Sequence, residues 1–150
     1  MRLRDFFSPD AIGLDLVAGS KPEALAAMVS LLHVPDDIGA TLSELLARRE
    51  QLGSTGVGRG IAIPHCRALV IPQLRLAFGR VPGGIGYDAI DGCAVHNLFL
   101  IVAPPVEVSN TYLPVLGRLA QFAKAPDVPE RLAALKSPED FFQLLDERGA

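Results

Sequence analysis

The chain reads Arg49-Glu-Gln-Leu-Gly-Ser-Thr-Gly-Val-Gly-Arg-Gly-Ile-Ala-Ile-Pro-His65 at its most distinctive point. Apolar residues at helical spacing predict a helix over residues 36–52, and Gly53 is the residue type that commonly ends one. A loop with four glycines follows, and then a short apolar strand that ends in Pro-His. Glycines allow backbone amides to approach an anion closely. The stretch therefore predicts an anion-binding loop beside a histidine, in a domain that mixes helices and strands.

The residue types in this stretch suit phosphoryl transfer. His65 has an imidazole whose ordinary pKa lies near neutral pH, so much of it is neutral and able to attack as a nucleophile. Arg49 supplies a fixed charge and a planar fork of donors that matches a phosphate group. Ser54 and Thr55 add hydroxyl donors, although both could instead only cap or shape the turn. The pattern predicts His65 as the catalytic residue, with Arg49, Ser54 and Thr55 holding the phosphoryl oxygens.

Composition narrows the class of protein. The chain has 150 residues, 49% hydrophobic and 21% charged, which is sufficient for one domain over residues 1–150. A formal net charge of −3 argues against nucleic acid as the main partner. The N-terminal residues contain no apolar stretch long enough for a secretory signal, and no run is long enough to insert in a membrane. Two cysteines suggest a reducing compartment, so the expected location is the cytoplasm.

Hydrophobic periodicity predicts the elements around the motif. Strands are expected at residues 11–17, 74–81 and 95–103, the last of them covered on both faces because it is almost continuously apolar. Helices are expected from Ser20, from Ser109 or Asn110 to about Lys124, over residues 128–135, and from Ser137. The spacing Ser20-x-x-Glu23 is typical of a capping box. Ser137 is followed by a proline, a residue that is common at the first position of a helix. Helices mixed with strands predict a layered α/β domain.

The motif from Arg49 to His65 resembles that of the fructose/mannitol-type enzyme IIA domains of the bacterial phosphotransferase system. The segments 88–104 and 111–120 are also similar to this family, and the length is most similar to its stand-alone nitrogen-regulatory branch. The resemblance implies a mixed β-sheet flanked by helices on both faces. It implies that His65, with Arg49 beside it, accepts a phosphoryl group from an HPr-type carrier protein. The phosphoryl group would then pass to a IIB domain or regulate a target protein, and no cofactor is expected.

The sequence departs from the family pattern at Tyr112. Many members have a second active-site histidine there, within Thr-His-Leu, where this chain reads Thr-Tyr-Leu. A phenol can donate a hydrogen bond to a phosphoryl oxygen, but it cannot carry the positive charge of an imidazolium. Tyr112 is therefore predicted to help hold the phosphoryl group, with plain packing as the alternative. A second hypothesis is a IIA-fold interaction module whose degenerate site no longer transfers phosphate.

Other functions of these residues have weaker support. The glycine loop lacks the Gly-Lys-Ser/Thr ending of a nucleotide-binding P-loop. Cys66 adjoins His65, but no second cysteine or histidine lies at metal-ligand spacing, so no metal is expected. His33 is expected at a helix end on the surface, and His96 is expected to be structural.

Overall fold

A mixed β-sheet forms the centre of the molecule in the computed structural model, which describes residues 1–106 and 110–150. A 3-10 helix at Leu3–Phe6 comes first. The strands are β1 (Phe7–Gly13), β2 (Gly56–Gly58), β3 (Ile61–Ala62), β4 (His65–Arg67), β5 (Arg75–Ile85) and β6 (Val95–Ala103). The helices are α1 (Lys21–Ser30), α2 (Asp36–Gln51), α3 (Tyr112–Ala123), α4 (Val128–Ala133) and α5 (Pro138–Glu147).

Strand β6 is the axis of the sheet. It pairs antiparallel with β5 and parallel with both β3 and β4. Beyond these, β1 pairs parallel with β5, and β2 pairs antiparallel with β3. A strand paired on both edges and buried on both faces must be apolar almost throughout. The sequence predicts both the position of β6 and its burial, and the structure confirms them.

Helices cover both faces of the sheet, as the sequence predicts. Successive residues of a strand point to opposite faces, so β6 divides its side chains between two cores. Phe99 and Ile101 pack with the 3-10 helix, α3, α4 and α5. Leu98 and Leu100 pack on the other face with α1 and α2. The fold class is therefore a mixed α/β sheet flanked on both sides.

The first strand is displaced from its expected position. It was expected over residues 11–17, but β1 covers Phe7–Gly13. The reason is packing: Phe7 lies opposite Leu76 in the sheet, and its ring lies 5.0 Å from that of Phe141 in α5. A buried aromatic residue at the start of the strand outweighs the loose alternation that follows it.

The glycine-rich segment forms strand β2, which pairs with β3 in a hairpin. The sequence predicts a loop over residues 53–60 and a short apolar strand after it, so β3 is expected and β2 is not. Gly56 in β2 faces Ala89 so closely that an added Cβ would lie 2.7 Å from the Ala89 Cβ. Gly60 at the hairpin turn has a φ of +78°, a conformation that other residues rarely adopt. Both glycines are therefore needed to fold the segment against its neighbours.

Two helix caps follow the sequence and one does not. Ser20 and Ser137 accept hydrogen bonds from the backbone N–H groups three residues later, at 3.3 and 3.2 Å. The expected cap of α3 by Asn110 is wrong, because the helix begins at Tyr112 and Thr111 holds the N-cap position. The other expected cap, Ser109, lies outside the described residues. Within residues 1–106 and 110–150, no helix has the length and apolar character needed to cross a membrane.

Candidate active site

An open groove of about 560 Å³ lies where α2, β4 and α3 meet. Its lining residues are Leu45, Arg48, Arg49, Gln51, Leu52, His65, Cys66, Arg67 and Tyr112. Strand β4 is held in place by parallel pairing with β6, in which His65 lies opposite Ile101. The groove thus joins three of the predicted site residues, His65, Arg49 and Tyr112, which lie far apart in sequence.

A hydrogen bond to the backbone orients the ring of His65. Its Nδ1 lies 2.7 Å from the carbonyl oxygen of Ile63. A carbonyl oxygen can only accept, so Nδ1 carries the proton and the lone pair of the neutral ring is on Nε2. The proline between Ile63 and His65 fixes the backbone that makes this contact.

Partial burial keeps His65 neutral. Burial lowers the pKa of His65, and the positive charge of Arg49 lowers it further. The hydrogen bond to Ile63 and the negative charge of Glu50 oppose this and raise the pKa, but the net pKa lies below the ordinary value of 6.5. At neutral pH the imidazole is therefore in the form that attacks an electrophile.

Arg49 lies in the last turn of α2 and faces the groove. Its Nη1 donates to the carbonyl oxygen of Gly53 at 2.9 Å, which ties the side chain to the turn after the helix. The neighbouring Arg48 is paired with Glu44 at 2.6 Å on the exposed side of α2. Among the described residues, the groove lining includes three arginines and no carboxylate, so the groove favours an anion.

Tyr112 borders the groove from the first turn of α3. Its ring centroid lies 5.9 Å from that of His65. Burial raises the pKa of Tyr112 to about 12, and the nearby Cys66 raises it too, while Arg67 and Arg49 lower it. The phenol is therefore protonated at neutral pH, and it retains a hydrogen to donate.

Ser54 and Thr55 do not line the groove. The Ser54 hydroxyl donates to the carbonyl oxygen of Tyr87 at 2.8 Å and accepts from the Gly56 N–H at 3.1 Å. The Thr55 hydroxyl donates to Glu50 at 2.6 Å and lies 3.1 Å from the Tyr87 hydroxyl. These contacts fix the shape of the segment, and the role of either hydroxyl as a phosphate ligand stays a prediction.

Two groups near the groove are missing from the sequence prediction. Glu50 is a buried carboxylate, 6% exposed, whose oxygen lies 3.0 Å from the ammonium of Lys21. It stands within the motif, beside Arg49, but its partner comes from the first helix, and the sequence alone does not show this pairing. Arg67 lies two residues after His65, and the alternation of β4 was the signal that could have placed it on the same face.

The remaining cysteine and histidine candidates supply no second centre. Burial raises the pKa of the Cys66 thiol to about 12, so this thiol is not ionised at neutral pH. His33 and His96 are exposed and lie outside the groove. Across residues 1–106 and 110–150, no three His, Cys, Asp or Glu side chains are grouped so that they could hold a metal ion.

Comparison with known proteins gives this groove a family context. Residues 5–148 match the family described as phosphoenolpyruvate-dependent sugar phosphotransferase system, EIIA 2. The chain belongs to this family. The EIIA 2 match spans the helices and strands that build the groove, including the whole segment from Arg49 to His65.

Relatives of this EIIA 2 chain fall into two groups. The nitrogen regulatory protein of Pseudomonas aeruginosa is 31% identical over 147 residues, which cover 97% of this chain and 95% of that protein. The fructose-specific EIIABC component of Bacillus subtilis is 27% identical, and the match covers 98% of this chain but 23% of that protein. Family and relatives together support a phosphocarrier or regulatory role.

Solved structures agree with the fold. The nitrogen regulatory protein IIA-Ntr of Neisseria meningitidis superposes with a TM-score of 0.85 at 33% identity, covering 94% of this chain and 97% of that one. The mannitol IIA of Escherichia coli superposes with a TM-score of 0.73 at 23% identity, covering 92% and 97%. The second likeness shows a shared fold alone.

Proposed function

We propose that this IIA domain is a histidine phosphocarrier that accepts a phosphoryl group on Nε2 of His65. The observation that carries the proposal is the 2.7 Å bond from Nδ1 to Ile63, because it leaves the lone pair on Nε2. The arginines of the groove favour the arriving dianion, and the lowered pKa of His65 keeps the nucleophile neutral. Positioning and charge stabilisation of this kind are the main protein contributions to phosphoryl transfer.

The donor in this proposal is the phosphohistidine of an HPr-type carrier protein. The Nε2–P bond forms as the P–N bond to the donor imidazole breaks, and the donor nitrogen keeps the bonding electron pair. The proton on Nδ1 of His65 stays in its hydrogen bond to Ile63, where the carbonyl oxygen stabilises the positive charge that develops on the ring. No proton transfer to a third group is required.

Arg49 and Tyr112 are proposed to hold the transferred oxygens. Arg49 presents a fork of N–H donors from the end of α2, and Tyr112 presents a protonated phenol from the start of α3. Ser54 and Thr55 are proposed to act indirectly, by fixing the loop between Glu50 and His65. Arg49, His65 and Tyr112 line the same groove, and the ring centroids of His65 and Tyr112 lie 5.9 Å apart.

The phosphorylated form of the protein is proposed to act in regulation in the cytoplasm. Support comes from the nearly full-length match to nitrogen regulatory proteins. Transfer of the phosphoryl group to a IIB domain is the second proposal. It is supported by the mannitol IIA of Escherichia coli, which shares the fold and was solved in complex with phosphorylated IIB. The alternative function, a binding module that does not transfer phosphate, is favoured by Tyr112 alone.

Incubation with phosphoenolpyruvate, enzyme I and the HPr-type protein of the same organism tests this proposal. Intact mass, measured at neutral or alkaline pH because phosphohistidine is acid-labile, should show one added phosphoryl group on the wild type. His65→Ala should gain none, whereas the matched control His96→Ala should gain one. An unmodified wild type would favour the binding module, and a label on His65→Ala would move the site elsewhere.

A further inference from the structure

Arg67 shares a strand face with His65. The two residues are separated by one position in β4, and side chains two apart on a strand project from the same face. Their burial agrees: Cys66 between them is buried, while His65 and Arg67 are both half-exposed and both line the groove. The guanidinium of Arg67 is therefore on the side from which a phosphoryl group must reach His65.

The Arg67 side chain is held at two points. Its Nη1 donates to the carbonyl oxygen of Pro104 at 2.8 Å. Its guanidinium carbon lies 4.4 Å from the ring centroid of Tyr112, which is within the range of a cation–π contact. Two anchors reduce the freedom that a long side chain would lose on binding an anion, so the remaining N–H donors are preorganised.

We propose that Arg67 is a second cationic ligand of the phosphoryl group on His65, and that the Tyr112 ring is the platform that holds it there. The inference rests on the proposed function. Arg49 reaches the groove from α2 and Arg67 reaches it from β4, so the dianion would lie between positive charges from two elements. The nearby carboxylate of Glu50 does not cancel them, since it is paired with Lys21 and Thr55.

This arrangement gives Tyr112 a second task, besides the hydrogen bond that its hydroxyl is proposed to donate to the phosphoryl group. A phenol has no positive charge of its own, but its ring face attracts a guanidinium. Arg67 would thus supply a positive charge near the phosphoryl group, which the side chain of Tyr112 cannot do.

Rates of phosphorylation by the phosphorylated HPr-type protein test the role of Arg67. We expect Arg67→Gln to slow transfer about tenfold or more, the effect of losing a charge-assisted contact, and Arg67→Lys to recover part of the rate. Arg131→Gln is the matched control, because Arg131 lies in α4, pairs with Glu147 and does not line the groove. Equal rates for Arg67→Gln and wild type would overturn the inference.

Tyr112 variants separate the platform from the hydroxyl. Tyr112→Phe removes the hydroxyl but keeps a ring face under Arg67, so it should lose only the part of the rate that the hydroxyl contributes. Tyr112→Ala removes both and should be at least as slow as Arg67→Gln. In the double variant Arg67→Gln/Tyr112→Ala, the losses should not add, because one interaction is removed twice. Equal losses for the Phe and Ala variants would assign the effect to the hydroxyl and overturn the platform role.

Phosphorus NMR of the phosphorylated protein distinguishes contact between Arg67 and the phosphoryl group from a structural role of Arg67. A neighbouring guanidinium favours the dianionic phosphoryl group, so Arg67→Gln should raise the pH at which the phosphohistidine resonance titrates, and Arg131→Gln should not. An unchanged titration in Arg67→Gln would contradict the contact. A wild type that accepts no phosphoryl group would instead overturn the proposed function itself, so the two failures are distinguishable.

Discussion

Histidine and arginine side chains lie near both ends of β6, and the arginines at the two ends make different contacts. At one end His65 lies opposite Ile101, with Arg49 and Arg67 along a groove of about 560 Å³. At the other end, a cavity of about 530 Å³ is lined by His96 with Arg59 and Arg80, and also by Asn97. The volumes of the two places are similar, although the second is also lined by the carboxylate of Asp15.

The difference lies in what the arginines bind. Arg80 donates to the carbonyl oxygens of Leu14, Leu132 and Leu135 at 2.8 to 2.9 Å, and Arg59 donates to those of Ala123 and Lys124 at the end of α3. Within residues 1–106 and 110–150, Arg49 and Arg67 each have one such carbonyl contact. Arginines that satisfy helix ends stabilise the fold, and those with donors left over can hold an anion.

Replacement of Arg80 should give the largest effect on stability. Arg80→Gln removes the donor shared by several carbonyl oxygens near α4, so the free energy of unfolding should fall by about 3 kcal/mol. Urea denaturation measures this change, and the rate of phosphorylation of the folded variant should match that of wild type. A stable Arg80→Gln protein with slow phosphorylation would reverse the comparison between the two ends.

Replacement of Arg49 should give the opposite pattern. Arg49→Gln removes a charge-assisted contact to the transferring group, so phosphorylation should slow by about thirtyfold, which corresponds to about 2 kcal/mol. The free energy of unfolding should change by less than about 1 kcal/mol, because the lost contact is a single bond at an exposed helix end. Quenched-flow rates and urea denaturation on the same variant check both halves, and a normal rate would remove Arg49 from the site.

Much of the fold is predictable because it depends on local sequence. The capping serines Ser20 and Ser137 act within four residues, and the apolar run of β6 reflects burial on both faces, so all three are correctly predicted. Strand β2 is not, because Gly56 is required by a close approach to Ala89, which comes more than thirty residues later. Local signals do not contain such distant neighbours.

Some residues of the candidate site are also predictable from local sequence, and others are not. The motif places His65 and Arg49 together because both belong to one continuous segment. The hydroxyls of Ser54 and Thr55 bond to Tyr87 and Glu50 instead of lining the groove, and these partners are set by tertiary packing. Arg67 is missed because its contacts with Tyr112 and Pro104 join β4 to segments that follow it by more than thirty residues.

Glu50 joins the candidate site to Lys21 of α1, and its replacement should have an intermediate effect on the free energy of unfolding. Glu50→Gln leaves Lys21 without its counter-ion while keeping the shape of the side chain, so unfolding should become easier by about 1.5 kcal/mol. The matched control is Glu44→Gln, which breaks an exposed pair with Arg48 and should cost less than about 0.5 kcal/mol. Equal effects of the two variants would show that burial of Glu50 contributes nothing.

The pH dependence of phosphorylation should show the smallest effect. Because the pKa of His65 is lowered by burial, its neutral form predominates from alkaline pH down through 6.5. The midpoint of the decline in rate on acidification should therefore lie below 6.5, as the imidazole becomes protonated. Arg49→Gln should raise the pKa of His65 and move this decline to higher pH. NMR titration of the His65 ring checks the sign directly.

The most direct test of the account is which ring nitrogen carries the phosphoryl group. The 2.7 Å contact between Nδ1 and Ile63 assigns the attacking lone pair to Nε2. Nitrogen and phosphorus NMR of the ¹⁵N-histidine-labelled protein, phosphorylated through the HPr-type carrier, distinguishes the two nitrogens. We expect one phosphohistidine, at Nε2 of His65. A phosphoryl group on Nδ1, or on His33 or His96, would contradict it.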